Sequence, residues 1–354
     1  MRIETAHPGE IGQSEWARWR GHQAAAPVLA SPYFAPDWAQ IVGSARADAR
    51  ICVIEGGRGF LGVQRPSRFA AMGLGAPLAD YQGAVGEPGL ALDAAALCRA
   101  LGVGRIDLSG LPEGQTLLAG HAGGEEGSWV ADIGGGAEAY RAHLKAHRGK
   151  VVRQTDNRLR KLDDAHGTVR FTALSDDHAA FETLLAWKGA QLRESGQPAI
   201  WAHDWVRAVA EACFAARGED FSGAFFTLHA DEKLVAASFC LRSRTVLHCW
   251  VLGHDHAYDA FSPGVALARW VIEWAAESGL QEVDFGCGDY QFKRHLTTLQ
   301  RPLAWGAAAR PSWAAVVRGA EIAVRRKLEA CTQPTLARLP GKAMRRLDLA
   351  RALG

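Results

Sequence analysis

Residues 253–295 read GHDHAYDAFSPGVALARWVIEWAAESGLQEVDFGCGDYQFKRH. A strand is predicted to end near Gly253, and a loop closes at Ser262-Pro263-Gly264. A helix then runs to about Glu277. Its apolar residues Val265, Leu267, Trp270, Val271, Ile272 and Trp274 cover more than one stripe, which predicts burial between layers. Gly279 stops the helix. Val283-Asp284-Phe285 is a short strand, Gly286-Cys287-Gly288 breaks it, and Asp289 to His295 is dense in charge. The pattern is strand, loop, buried helix, strand, with a helix N-terminus after a Pro-Gly turn. First-turn amides have no partner within a helix, so they form a site for an anion such as a pyrophosphate.

Working outward, three strands are predicted upstream, at 223–229, 234–241 and 245–252. Their short connections make them an antiparallel meander. A strand at 168–174 and helices at 177–194 and 203–216 precede them. Phe181, Leu184, Leu185, Lys188 and Leu192 fall near one face of the first of these helices. Residues 136–165 predict one or two basic helices, and 311–330 a further helix. In the N-terminal part, helices are predicted at 14–23, 36–45 and 90–101. Strands are predicted at 51–55 and 60–64, joined as a hairpin, and at 67–72 and 105–108; 78–82 takes no assignment. The run Leu101–Gly110, LGVGRIDLSG, aligns with Ser278–Gly286, SGLQEVDFG. In both a glycine ends a helix and an apolar-Asp-apolar strand follows. Two lobes of one fold are expected: residues 1–135, a basic connector 136–167, a second lobe 168–310, and a basic helical tail 311–354. The fold class is α+β, each lobe a mixed, mostly antiparallel sheet flanked by helices.

The chain of 354 residues is 48% hydrophobic and 22% charged, an ordinary composition for a soluble globular protein. No apolar run is long enough to predict a transmembrane helix. The opening MRIETAHPGE has no secretory features. Seven cysteines without a C-x-x-C pair exclude a disulfide framework and a zinc ribbon. A cytoplasmic protein is expected. The net charge of +2 is uneven: residues 141–161 carry eight Lys/Arg against one Asp, and 311–354 carry nine against three acids.

Helices, a meander, a central helix and one more strand follow each other as in the GNAT acyltransferase fold. Ser262-Pro263-Gly264, Asp284-Phe285-Gly286 and Gly288-Asp289-Tyr290-Gln291-Phe292-Lys293 resemble the acetyltransferase family of bacterial cellulose and exopolysaccharide biosynthesis, whose motif is G-D-x-x-Y-K. That family is related to the Fem-type peptidyltransferases, which carry two GNAT lobes. Pro32-Tyr33-Phe34, Trp38 and Asp80-Tyr81 are similar to the weaker signature of the first lobe. Phe292 departs from the usual Tyr, so a proton-donating hydroxyl of relatives would be missing here.

The resemblance implies an N-acyltransferase. It would move an acyl group, expected to be acetyl, from acetyl-CoA or another acyl-CoA to an amine. The acceptor would be a glycan or lipid-linked amino sugar in exopolysaccharide or envelope glycan synthesis. The alternatives are an aminoacyl-tRNA-dependent, Fem-like transferase and a non-catalytic binding module of a glycan synthase. Acyl transfer needs a held donor, a deprotonated nucleophile and a stabilised oxyanion. Donor holding falls to Ser262, Gly264, Val265 and Ala266. Lys293 is expected on a donor phosphate or the oxyanion. Asp289 would orient Lys293, accept a proton, or cap a helix. His254 would serve as a general base near neutral pH. Asp80, Tyr81, Lys188, Tyr290 and Phe292 are the expected acceptor contacts. His254-Asp255-His256 offers two imidazoles without a third ligand in view, and no metal is expected. The tail intersperses Arg318, Arg325, Arg326, Lys327, Arg338, Lys342, Arg345, Arg346 and Arg351 with Leu336, Leu339, Leu347 and other apolar residues. It is expected to lie on an anionic membrane surface at the inner membrane, to bind a cyclic dinucleotide, or to pack as a helix with its charges in water. Nucleic acid is not an expected partner.

Overall fold

The structure is a computed structural model describing residues 1–118, 122–330 and 334–353, with only the backbone of 334–340 and 342. Two groups of strands organise the chain, and each belongs to its own compact unit.

The first unit takes in Met1–Glu126, His203–Val209 and Pro302–Gly354. In chain order it holds β1 (Ile3–Ala6), α1 (Gln13–Ala25), α2 (Pro36–Ala45), β2 (Ala49–Ile54), β3 (Gly59–Gln64), β4 (Ala70–Gly73), β5 (Ala84–Gly86), α3 (Ala94–Ala100) and β6 (Arg105–Leu111). β1, β2 and β3 pair antiparallel, and β3 pairs antiparallel with both β4 and β5. β4 and β6 run parallel, joined by α3. The β2–β3 turn passes through Glu55, Gly56 and Gly57, all at positive φ, the backbone a tight hairpin requires. Cys52, Leu61, Val63, Leu97, Ile106 and Leu108 form its core.

The second unit takes in Gly127–Ala202 and Ala210–Arg301. Here follow β7 (Ala122–Asp132), α4 (Gly136–His166), β8 (Val169–Thr172), α5 (His178–Glu194), the second half of α6 (Asp204–Ala215), β9 (Ser222–Ala230), β10 (Lys233–Arg242), β11 (Val246–His254), α7 (Pro263–Glu277), β12 (Glu282–Asp284) and α8 (Gln291–Leu296). Strands run in the order β7-β12-β11-β10-β9-β8, all antiparallel except β12 on β11. α7 is buried along Ala266, Leu267, Ala268, Val271, Ile272 and Ala275, as its many-sided apolar pattern predicts. α4 is one run with a single non-helical residue, Arg148 (φ −136°, ψ 23°). Its Tyr140, Leu144, Leu159 and Leu162 join the core and leave the basic residues outside.

The internal repeat is real. Gly102 (φ +67°) ends α3 and Gly279 (φ +78°) ends α7. Each is followed by a strand parallel to an earlier strand of its unit, β6 to β4 and β12 to β11. The neighbour on the far side differs from the expected layout. β12 is flanked by β7, from before the connector. β6 is flanked by β13 (Leu299–Ala309), which lies near the C-terminal end of the chain. Most of β7 and the connector α4 therefore group with the second unit. β13, α9 (Trp313–Glu329) and α10 (Pro334–Leu353) group with the first. The boundaries expected at 135 and 310 do not coincide with this division.

Neither β7 nor β13 is legible locally. AGGEEGSWVAD and LQRPLAWGAAA lack alternation and, apart from Val130, β-branched residues. The glycines have a packing reason instead, since a Cβ at Gly123 would run into the Trp305 ring.

The tail differs too. Arg318 is buried against Asp107 (Nε to Oδ1, 3.0 Å), Asp348 and Glu321. Arg325 pairs with Glu329, and Arg351 with Glu321 and Asp348. These arginines hold α9 and α10 in place rather than forming a surface cluster. The side chains of Leu336, Arg338, Leu339 and Lys342 lie outside the described residues. No helix among the described residues is long and apolar enough to cross a membrane.

Candidate active site

β11 runs from Val246 to His254, yet β12 pairs with it only at Val246–His248 and then ends. From Cys249 onward β11 has no strand beside it on that side among the described residues. On its other side β10 follows it throughout. The register shifts there between Phe239 (opposite Val251) and Cys240 (opposite Cys249), which leaves Trp250 as an extra residue. Such bulges re-aim side chains beside functional sites. The Trp250 ring lies 5.7 Å from Phe239 and 6.3 Å from Trp201.

The open strand leads to the N-terminus of α7. Ser262 occupies the N-cap in the left-handed region (φ +51°, ψ 49°), and its side chain makes no capping bond. Its hydroxyl instead accepts from Arg158 Nη1 of α4, at 2.8 Å. The Val265 and Ala266 amides donate to the Ser262 carbonyl (3.1 and 3.3 Å), so it is the Arg158 guanidinium and the positive end of the α7 dipole that meet beside Gly264, a setting suited to a phosphate. A Cβ at Gly264 would sit 3.3 Å from His254 Nδ1, so the backbone is close to that imidazole.

On the β12 side the loop is clamped. Asp284 is buried, and its Oδ1 accepts from Ser128 Oγ (2.6 Å) and from the Gly286 amide (2.7 Å). Gly286 and Gly288 turn through positive φ, +68° and +95°. Lys293, in α8, reaches back beneath them. Its Nζ donates to the carbonyls of Phe285 (2.6 Å), Gly286 (3.2 Å) and Cys287 (2.7 Å), and it lies 5.3 Å from the Tyr290 ring centre. An ammonium has three N–H donors, and three carbonyls receive them. Lys293 therefore anchors the loop, and the expected direct contact to a phosphate or oxyanion does not fit this geometry. Asp289 does not orient Lys293: it is exposed and pairs with Arg294, while the N-cap of α8 is Tyr290. Phe292 packs edge-on against Phe285 at 5.8 Å, and Tyr290 is exposed.

α5 lies along the open end of β11. Leu184, Trp187 and Lys188 all come within 4 Å of where a Gly253 Cβ would be. Burial, and then the charge of Lys293, push the Lys188 pKa below the ordinary lysine value; its Nζ donates to Gln191 Oε1 at 2.6 Å. His254 Nε2 is 2.7 Å from Asp259 Oδ1, and the bond from His254 is the main reason that carboxyl stays below its ordinary range. Asp259 is also 3.3 Å from His256 Nδ1. It is the third polar ligand-type group that the sequence spacing did not bring into view, and the ligand atoms of the three lie within 4.8 Å of one another. A helical turn at 256–261 folds Asp259 back, which no spacing rule reports.

The structure thus groups Lys188, His254, Ser262, Gly264, Val265, Ala266, Tyr290, Phe292 and Lys293 in the second unit. Asp80 and Tyr81 belong to the first, where Tyr81 is buried beside Phe34. Sequence reasoning missed Arg158, Trp250 and Asp259. Arg158 lies in the basic segment 141–161, whose charge was the available signal.

Residues 149–294 match the model of the acetyltransferase (GNAT) domain family. This stretch of the second unit is similar to that family, and the unit has a GNAT-like, acyltransferase-like fold. No curated protein matches the sequence. Among solved structures, FemX is similar with a TM-score of 0.54 at 10% identity, covering 86% of this chain and 97% of that one. The C-terminal domain of a protein assigned as a lysylphosphatidylglycerol synthetase, from Agrobacterium fabrum, has a TM-score of 0.53 at 12% identity, covering 87% and 96%. A conserved protein of unknown function from Bacteroides thetaiotaomicron has 0.52 at 16% identity, covering 86% and 100%. At these identities the likeness shows a shared fold, and it spans both units. The narrower resemblance to the cellulose and exopolysaccharide family has no counterpart among these matches.

Proposed function

We propose that the chain is an N-acyltransferase that takes its acyl group, expected to be acetyl, from acyl-CoA and delivers it to an amino sugar or similar amine of an envelope glycan. One observation carries the reading: β11 continues past the end of β12 and leads into the N-terminus of α7. The arm of CoA bears amides, which can pair with an open strand edge as an added strand does. Its pyrophosphate would then meet the Val265 and Ala266 end of α7 and Arg158.

In the reaction the amine attacks the thioester carbonyl, the C–S bond breaks, CoA leaves as thiolate, and the amine gives up a proton. Lys188 is the better proton acceptor, because its depressed pKa raises the fraction of neutral amine. His254 stands beside Gly264, at the phosphate end, and suits donor contact. The amino-sugar acceptor rests on the motif Gly288–Lys293 and its neighbours.

A second reading, an aminoacyl-tRNA donor, draws on the fold shared with FemX and on the exposed basic residues Lys145, Arg148, Lys150, Arg153, Arg160 and Lys161 of α4. Thermal-shift and calorimetric titration with acetyl-CoA, longer acyl-CoAs and aminoacyl-tRNA separate the two. A ligand of the native state raises the melting temperature. Acyl-CoA is expected to do so; a response to aminoacyl-tRNA alone would replace the first reading by the second.

A further inference from the structure

α9 is amphipathic in the inverted sense. Its inward face carries Arg318 and Arg325, 4% and 9% exposed, with the buried Ala314 on the same side. Its outward face carries Trp313, Val316, Val324 and Leu328, exposed by 78%, 61%, 57% and 44%. At 100° per residue these four, with Ala320, fall within one stripe about 120° wide; Leu328, at its edge, lies about 60° from Arg325, and the other three lie about 100° or more from both arginines. Isolated exposed apolar residues are ordinary, whereas buried charge opposite a continuous apolar stripe is informative.

The stripe also has a sign. Lys327 is exposed within it; Arg326 lies off it and donates to the carbonyls of Gly123 and Ala122. The two acids of α9 lie off the stripe in ion pairs, Glu321 with Arg318 and Arg351, and Glu329 with Arg325. No carboxylate interrupts the outward face among the described residues.

We infer that the outward face of α9 docks on an anionic lipid surface, lying in its plane. A tryptophan, branched aliphatics and a lysine, with no acid, complement the boundary between acyl chains and negative headgroups. Turning Arg318 and Arg325 inward leaves the apolar side free to face outward. The inference stands apart from the acyl-transfer reading, since it concerns a different unit and its test needs no donor.

The test is flotation of the full chain with vesicles of phosphatidylglycerol and phosphatidylcholine, and with phosphatidylcholine alone. The wild type floats with anionic vesicles, floats several-fold less at high salt, and stays below with the neutral ones. Val316→Glu/Val324→Glu, both exposed and so compatible with folding, cuts the bound fraction at least tenfold at unchanged melting temperature. Lys327→Glu cuts it less. A wild type that stays below with anionic vesicles, or a double variant that floats equally, overturns the inference. So does light scattering that shows a wild-type dimer made monomeric by the double substitution, which would give the face to a second copy.

Discussion

Lys293 Nζ lies 2.6 Å from the Phe285 carbonyl and 2.7 Å from that of Cys287, so a lysine eight residues on closes the loop that follows β12. Asp284 holds the same loop from the other end through the Gly286 amide. The motif Gly288–Lys293 is therefore first a device for fixing the loop after β12.

Lys293→Met should then lower stability. Leaving buried carbonyls without a donor costs about 1–3 kcal/mol. Urea melts would report the loss, and acyl-CoA affinity should fall with it. A variant with wild-type melting and reduced turnover alone would instead make Lys293 a direct participant in the chemistry.

Gly264→Asp should remove donor binding without unfolding the chain. The new carboxylate would oppose a phosphate at the α7 N-terminus, and its Cβ, 3.3 Å from His254 Nδ1, needs only a small shift of that half-buried ring. Arg158→Ala should weaken binding more mildly, by removing one cation. Unchanged acyl-CoA affinity in calorimetry for both variants would take this helix end out of the site.

Lys188 makes a pH-dependent prediction. Its folded pKa is depressed, so between that pKa and the unfolded value of ~10.4 the folded state holds fewer protons than the unfolded one. The penalty for its charge is full below the folded pKa and fades as pH rises toward ~10.4. Lys188→Met should therefore be more stable than wild type at neutral pH, with the gap closing in alkali. The wild-type rate should rise with pH up to the Lys188 pKa, and Lys188→Met should flatten that limb. A variant with the wild-type pH profile would exclude Lys188 as the proton acceptor.

Arg318→Leu should be severe. It strips the buried Asp107 of the guanidinium 3.0 Å away and frees Asp348 of α10. Breaking a buried pair from one side costs about 3–5 kcal/mol. Burial already pushes the Asp107 pKa up against the pull of Arg318 and Arg105, so its remaining charge would be poorly tolerated. Asp107→Asn added to Arg318→Leu should recover part of the loss; equal melting of the single variant and wild type would show that α9 is held by other contacts.

What the sequence determined by itself is what neighbouring residues decide. α7 follows from a Pro-Gly start, a Gly279 stop and apolar residues on many sides. The β9–β10–β11 meander follows from strands separated by two- and three-residue turns, and the N-terminus of α7 from Ser262-Pro263-Gly264. What only the tertiary structure decided is long-range. β7 and β13 carry weak strand signals and exist because β12 and β6 offer them edges distant in sequence. The inward turn of Arg318 depends on Asp107, 211 positions earlier by the numbering. The use of Lys293 also lay beyond spacing. A lysine in a charged run looks like a surface group until the glycine turns at Gly286 and Gly288 bring three carbonyls to its ammonium, and that geometry exists only once the chain has closed.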